Sequence, residues 1–288
     1  MTSLSRRAFI GGAIVLAGRV AASAGAARVV SAWIAAALVL AVATGAQAES
    51  TVDAVRARGT LRVGVKTDAP PFGSIDAAGR PVGFEIDLAR FFARVLFDDD
   101  RRAELVAVTT ATRFEALRAG RVDLLIATVT ATEDRQRQLE LSEPYFMAAS
   151  LLLVQKASGV QGLADLVARP VTVVRDSVQA HDIGILQPRA LVSAVGSVAE
   201  GVDAVRSGQS DAFVYDDVVL LAVAQSDAAL RIVGRPLAPR PFVVAARKDD
   251  AQLIRWVNGW LARMRRDGSY GEIWRRYFQP FESHLVGG

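Results

Sequence analysis

The sequence predicts an α/β protein made of two similar lobes, and three observations carry the prediction. Strand-like and helix-like runs alternate from Leu61 onward, residues 116–127 are echoed at 204–215, and both copies end their strand beside hydroxyl or carboxylate side chains. Alternation of this kind builds a largely parallel sheet with helices on its faces.

Residues 1–48 read as an export leader rather than as fold. Ser5-Arg6-Arg7-Ala8-Phe9-Ile10 is a twin-arginine-like motif, and an apolar run follows from Ile10 to Ala17. A second apolar run, Val29 to Val42, leads to Ala46-Gln47-Ala48, a small-x-small signal-peptidase site, so cleavage is expected after Ala48. One long twin-arginine leader, a start near Arg28 and a retained anchor all stay open, the last because the second run approaches the ~18 apolar residues that span a bilayer.

This segment holds Arg6, Arg7, Arg19 and Arg28 and no acidic residue, which accounts for the whole formal charge of +4. The remainder is neutral, so nothing points to a nucleic-acid partner. Zero cysteines exclude disulfides and thiolate metal sites.

Leu61-Arg62-Val63-Gly64-Val65 alternates as a strand and is followed by a turn at Pro70-Pro71. Leu88, Phe91, Phe92, Val95 and Leu96 then form one apolar helix face, with Asp87 expected as its cap. Leu105 to Val108 is a further short strand, and Thr112 is expected to cap a helix through Phe114 and Leu117 to Gly120.

The echo pairs Ala116-Leu-Arg-Ala-Gly-Arg-Val-Asp123-Leu-Leu-Ile-Ala127 with Ala204-Val-Arg-Ser-Gly-Gln-Ser-Asp211-Ala-Phe-Val-Tyr215. Each copy is a helix end, a glycine after it (Gly120, Gly208), a turn and a buried strand. Strands of open α/β sheets present ligands beyond their carboxyl ends, which here are Thr128 and Asp216. Leu151 to Val154 and Phe242 to Ala245 bracket the second copy and are the expected crossings. The expected layout is residues 49–152 plus 243–288 in one lobe and 153–242 in the other.

After the first echoed strand, Thr128, Thr130 and Arg135 gather at one strand end, with Thr132 capping a helix that opens on Glu133 and Asp134. A guanidinium there can grip a carboxylate on two nitrogens. Asp216 and Asp217 stand at the matching end of the second copy. An α-amino acid is a zwitterion, and a dry site for it needs one fixed cation and one fixed anion. Arg135 and Asp216 meet that need.

Four motifs carry a resemblance: Gly83-Phe84-Glu85-Ile86-Asp87-Leu88-Ala89, the run 128–135, Ser142-Glu143-Pro144-Tyr145, and Asp267-Gly268-Ser269-Tyr270-Gly271-Glu272-Ile273-Trp274. Together they resemble the polar-amino-acid-binding proteins of ABC transporters, the family 3 solute-binding proteins. The resemblance implies a two-lobed periplasmic-binding-protein (Venus flytrap) fold of type II-like form, closing by a hinge on one amino acid. It implies that Arg135 holds the ligand α-carboxylate, that Asp216 holds the ammonium, and that Thr128 and Thr130 add hydrogen bonds. It also implies permease subunits as partners, a periplasmic location and a monomer that uses no cofactor or metal.

Lys66 and Arg113 resemble basic positions that glutamate- and aspartate-binding members use for the side-chain carboxylate, and Thr110 joins this candidate set. Asp68 is close enough in sequence to neutralise Lys66. The ligand expected is therefore acidic or an amide. Ala69 stands where many members carry an aromatic that stacks on the ligand, which points away from aromatic ligands. The usual Gly-Thr-Thr turn is Arg175-Asp176-Ser177-Val178 here; Ser177 can still offer a donor at a helix start, Val178 has none, and Arg175 is expected to pair with Asp176.

Other residues suggest rivals. Glu85 and Asp87 resemble a catalytic carboxylate pair, and cyclohexadienyl-type dehydratases are similar to this family, so an enzyme on the same scaffold is the main alternative. A sensor ectodomain is the third. His181 and His284 are the only histidines, too few for a His-rich metal site, and Trp256, Trp260, Trp274 and Tyr277 read as packing.

Overall fold

A computed structural model describes residues 51–285. The leader motifs and the expected cleavage after Ala48 lie outside the described residues. The chain runs through α1 (Thr51–Arg58), β1 (Leu61–Val65), a hairpin of β2 (Ser74–Ile75) and β3 (Pro81–Val82), α2 (Phe84–Phe97), β4 (Ala103–Ala107), α3 (Arg113–Arg118), β5 (Leu124–Ile126), α4 (Glu133–Gln138) and β6 (Leu139–Leu141). A second set follows: β7 (Phe146–Gln155), β8 (Pro170–Val174), α5 (Val178–Leu186), β9 (Leu191–Val195), α6 (Val198–Arg206), β10 (Ala212–Asp216), α7 (Asp217–Ser226) and β11 (Leu230–Phe242). The chain then returns through β12 (Ala245–Arg247), α8 (Ala251–Asp267) and α9 (Ser269–Phe278).

The first set forms a sheet of order β4-β1-β5-β12-β6 and the second one of order β11-β7-β10-β8-β9. Strands that alternate with helices are parallel: β1 with β4 and β5, and β8 with β9 and β10. β12 runs antiparallel to β5 and β6, and β7 antiparallel to β10 and β11. The expected parallel sheet is thus mixed, because strands that carry the chain out and back side by side must run in opposite directions.

The sequence echo has a structural cause. Gly120 and Gly208 have φ of 67° and 76°, a left-handed turn after a helix that glycine adopts without a Cβ clash. The amide of Asp123 then donates to Arg62 O at 2.8 Å, and that of Asp211 to Pro170 O at 2.9 Å. Both carboxylates pair with an arginine of the neighbouring strand region, Asp123 with Arg62 at 3.2 Å and Asp211 with Arg169 at 3.5 Å. The same unit therefore launches β5 and β10 into the middle of their respective sheets.

Two expected caps differ. α2 begins at Phe84 after Gly83, whose φ of 140° turns the chain earlier than expected, so Asp87 lies inside the first turn and its carboxylate accepts from Arg276 and Tyr277, each at 2.8 Å. Thr112 precedes α3 but its hydroxyl accepts from the Thr109 amide at 3.0 Å instead of capping the helix. Thr132 does cap α4, accepting from the Arg135 amide at 3.2 Å.

The two crossings lie side by side. Ser142 N donates to Val244 O, Tyr145 N to Phe242 O, and Val243 N to Val129 O, each at 2.9 Å. The outward crossing precedes Leu151–Val154, which pairs inside the second sheet with β10 and β11. Residues 146–152 therefore go with the second lobe; that run is apolar because it is the buried centre of a sheet. Phe72, Phe146, Phe242 and Phe278 pack around the crossings with ring centroids 4.6–5.4 Å apart for the contacts Phe146–Phe278 and Phe72–Phe242. Phe146 and Phe242, from the two crossings, thus share one aromatic cluster with Phe72 and Phe278. Trp256, Trp260, Trp274 and Tyr277 pack against the same core, partly buried.

Candidate functional site

β1 delivers Lys66 at its carboxyl end, and the next turn brings Asp68. Lys66 is fully buried, yet it is satisfied: Nζ donates to Tyr215 Oη at 2.7 Å and Thr110 Oγ1 at 3.0 Å, and lies 3.4 Å from Asp68 Oδ1. Thr110 and Tyr215 hydroxyls are themselves 2.8 Å apart, closing a triangle. Burial disfavours the ammonium, but Tyr215 and the Asp68 carboxylate outweigh it and leave the Lys66 pKa raised. The other Asp68 oxygen accepts from the Val198 amide at the start of α6, at 3.3 Å. Tyr215 and Val198 belong to the second sheet's layer, so these bonds join the two lobes.

Arg113 opens α3 and is buried beneath the loop that follows β5. Nη1 donates to Ala127 O at 2.6 Å and Thr128 O at 3.0 Å, while Nε has no partner. Thr128 has φ of 48°, an unfavourable left-handed conformation for a β-branched residue. Its amide donates to Glu85 Oε1 at 2.7 Å, and the Tyr145 hydroxyl donates to the same oxygen. Burial raises Glu85 to about 7, opposed by those bonds and by the charges of Lys66 and Arg113.

Arg135 sits one turn into α4 and reaches back over the strand end. Nη1 donates to Thr130 O at 2.7 Å, and Nη2 donates across to Asp176 O, in the turn before α5, at 3.1 Å. Phe114 carries both guanidiniums, with Arg113 and Arg135 at 4.9 and 5.0 Å from its ring centroid. Burial, then the neighbouring Arg113 charge, lowers Arg135 to about 9, so it stays cationic at neutral pH. Two hollows flank it: one of 260 Å³ on the side of Phe114 and Arg118, and one of 460 Å³ on the side of His181 and Asp182. Ser177 lines both, although its hydroxyl also caps α5 by accepting from the Ala180 amide at 3.2 Å.

Asp216 closes β10 and is buried, its carboxylate accepting from Gln179 Nε2 at 2.8 Å. Burial raises its pKa, while Lys66, Gln179, Arg113 and Arg135 act in the opposite direction. Asp217 turns away: Oδ2 accepts from the Ala149 amide at 3.0 Å and Oδ1 from the Val218 amide at 2.8 Å, and burial raises it to about 7.

Lys66 follows β1 and Thr128 lies just beyond β5, Asp216 closes β10, and Arg113, Arg135 and Ser177 stand at or beside the starts of α3, α4 and α5. Lys66, Asp68 and Thr110 touch directly, as do Arg113 with Thr128 and Arg135 with Thr130. The expected Arg175–Asp176 pair does not form: Arg175 Nη1 donates to Ala194 O at 3.3 Å, and Asp176, with φ of 59°, gives its main-chain carbonyl to Arg135. Sequence reasoning missed Tyr215, Gln179 and Phe114. Tyr215 was visible as the one polar-tipped residue of the echoed strand, next to Asp216. Among the described residues, no group of three or more His, Asp and Glu is arranged to hold a metal ion.

This arrangement of buried cations from one layer and a buried carboxylate from the other is accompanied by clear relatives. The ABC transporter glutamine-binding protein GlnH of Bacillus subtilis is 31% identical over 233 residues, covering 80% of this chain and 85% of that one. A solute receptor for L-cysteine of Neisseria gonorrhoeae superposes with a TM-score of 0.77 at 28% identity, covering 80% of this chain and 94% of that one. An ancestral amino acid-binding protein described as a precursor of cyclohexadienyl dehydratase gives a TM-score of 0.73 at 32% identity, covering 80% of this chain and all (100%) of that one. These neighbours are two-lobed amino-acid-binding proteins. The model of the bacterial extracellular solute-binding proteins, family 3, matches residues 61–280, and the chain belongs to that family.

Proposed function

We propose that this chain is the exported substrate-binding component of an amino-acid ABC importer, taking up one polar L-amino acid between its lobes and passing it to permease subunits. The observation that carries the reading is the charge pair at the lobe junction: Arg135 on the first-lobe side and Asp216 at the end of β10 on the other. Arg135 holds two backbone carbonyls, positions from which a bound α-carboxylate can take over its donors. Asp216 accepts one hydrogen bond from Gln179, and its remaining lone pairs suit an ammonium. Ser177 borders both hollows beside Arg135, and in this reading Thr128 and Thr130 add hydrogen bonds to the ligand.

Lys66 and Arg113 support an acidic or amide side chain. The Asp68 partner and the Tyr215 and Thr110 hydroxyls make Lys66 a donor within a neutral cluster, which suits an amide oxygen as well as a carboxylate. The ligand bridges the lobes and favours the closed state by its differential affinity. Removal of residues 1–48 gives a soluble periplasmic monomer in this reading.

The experiment is calorimetric titration of residues 49–288 with the twenty amino acids. At least one polar amino acid should bind at micromolar or tighter dissociation constant; none doing so refutes the proposal. The enzyme alternative has one specific point in its favour, Glu85 buried near neutrality beside two cations. Incubation with prephenate or arogenate separates the two, since a binding protein leaves both intact.

A further inference from the structure

Glu85 occupies the first turn of a helix, where a carboxylate is ordinarily solvated, yet it is fully buried. Its Oε1 accepts from the Thr128 amide at 2.7 Å and from the Tyr145 hydroxyl, and Oε2 has no partner. On the opposite side of the same backbone, Arg113 donates to the carbonyls of Ala127 and Thr128 at 2.6 and 3.0 Å. One anion and one cation therefore hold the amide and both flanking carbonyls of a residue whose φ is 48°. Left-handed backbone at a β-branched residue persists only when its surroundings over-determine it.

We propose that Glu85 is a positioning residue for the ligand: with Arg113 it pins the Ala127–Thr128 peptide in its left-handed turn and so presents Thr128 and Thr130 to the bound amino acid. The inference rests on the amino-acid reading above. The titratable or charged groups facing Glu85 are Lys66 at the end of β1, Arg113 on α3 and Tyr145 before β7, while Asp87 on its own helix faces Arg276 and Tyr277. Burial holds Glu85 at about 7, and the two cations favour its ionised form. A ligand carboxylate arriving beside those cations offsets them, so a negatively charged amino acid draws a proton from water onto Glu85. Its affinity then rises as pH falls through about 7, and a neutral amino acid shows much less of this rise.

The test uses Glu85→Gln, which keeps an acceptor but cannot titrate, and Glu85→Ala, which removes the acceptor. Amide hydrogen exchange at Thr128 is followed by NMR, and binding of L-glutamate and L-glutamine by calorimetry from pH 5.5 to 8.5. Glu85→Ala should speed Thr128 exchange and weaken binding by about tenfold or more. Glu85→Gln should retain Thr128 protection and make the pH profile of L-glutamate binding run parallel to that of L-glutamine, a change that a purely structural role does not produce. Wild-type Thr128 protection in Glu85→Ala, or a wild-type pH profile in Glu85→Gln, overturns the proposal. If neither amino acid binds the wild type, the ligand reading fails and Thr128 exchange alone decides on Glu85. Should Glu85→Ala not fold, Glu85→Gln carries the test.

Discussion

Arg135→Ala is the perturbation with the most to say. The guanidinium makes a 2.7 Å bond to Thr130 O and a 3.1 Å bond across the lobes to Asp176 O. Charge-assisted bonds of this kind contribute about 1.5–3 kcal/mol each. In the proposed function a bound α-carboxylate exchanges those neutral acceptors for an anionic one in a site dry enough to lower Arg135 to about 9. Removing the cation leaves the carboxylate buried beside Asp216 with no counter-charge, at a cost of about 3–5 kcal/mol. Calorimetry should therefore show affinity reduced by roughly two to four powers of ten. Arg135→Lys keeps a point charge but cannot hold two acceptors in a plane, so about one to two powers of ten are expected. Loss of these two bonds in Arg135→Ala should also lower the melting temperature of the variant by several degrees, so its fold is checked by circular dichroism before titration. A loss below about fivefold in Arg135→Ala, with the protein folded, refutes the carboxylate-clamp reasoning.

Other outcomes follow from the same geometry. Lys66→Met should weaken L-glutamate and L-aspartate more than L-glutamine and L-asparagine, and equal losses in parallel titrations would show that Lys66 does not read the side chain. Glu85 and Asp217 are both held at about 7 by burial, above their ordinary values, so the native state binds protons that the unfolded chain has released. Their contribution to stability is fully present below about pH 4 and is lost as pH rises to about 7, levelling off above it; urea denaturation of the wild type against Glu85→Gln at each pH checks this, and a wild type that gains stability relative to the variant over that window contradicts it. Gly73 leaves no room for a Cβ, which would lie 1.9 Å from Lys66 O, so Gly73→Ala should destabilise by about 1–3 kcal/mol and disturb Lys66 binding in the same variant. Thr128→Gly relieves the left-handed strain and should raise the melting temperature by a few degrees, about 1 kcal/mol, while lowering ligand affinity.

Much of this was legible in the chain because two different constraints wrote it twice. A helix end, a left-handed glycine and a buried strand are needed in each lobe, so Gly120 and Gly208 mark both copies and point to Thr128 and Asp216. Arg135 and Asp216 stood out because a zwitterion needs one cation and one anion and these two follow the echoed strands. What stayed hidden depends on contacts made across the lobes. Tyr215 and Gln179 matter through Lys66 and Asp216, and no local pattern announces which side chain will face another lobe's strand end. The outward crossing was displaced because Leu151–Val154 is apolar for the ordinary reason that it lies in the middle of a sheet. Asp87 was read as a cap because acidic residues favour helix starts, and the true start was set by the backbone of Gly83.

The central claim is that one fixed cation and one fixed anion at the lobe junction recognise both charges of an amino acid. Calorimetry with the tightest-binding polar L-amino acid and its two single-charge analogues, one lacking the α-carboxylate and one lacking the α-amino group, tests it directly. Each analogue should bind at least about a hundredfold more weakly than the parent, since each leaves Arg135 or Asp216 without its partner. An analogue lacking either group that binds as tightly as the parent would contradict the assignment of Arg135 and Asp216.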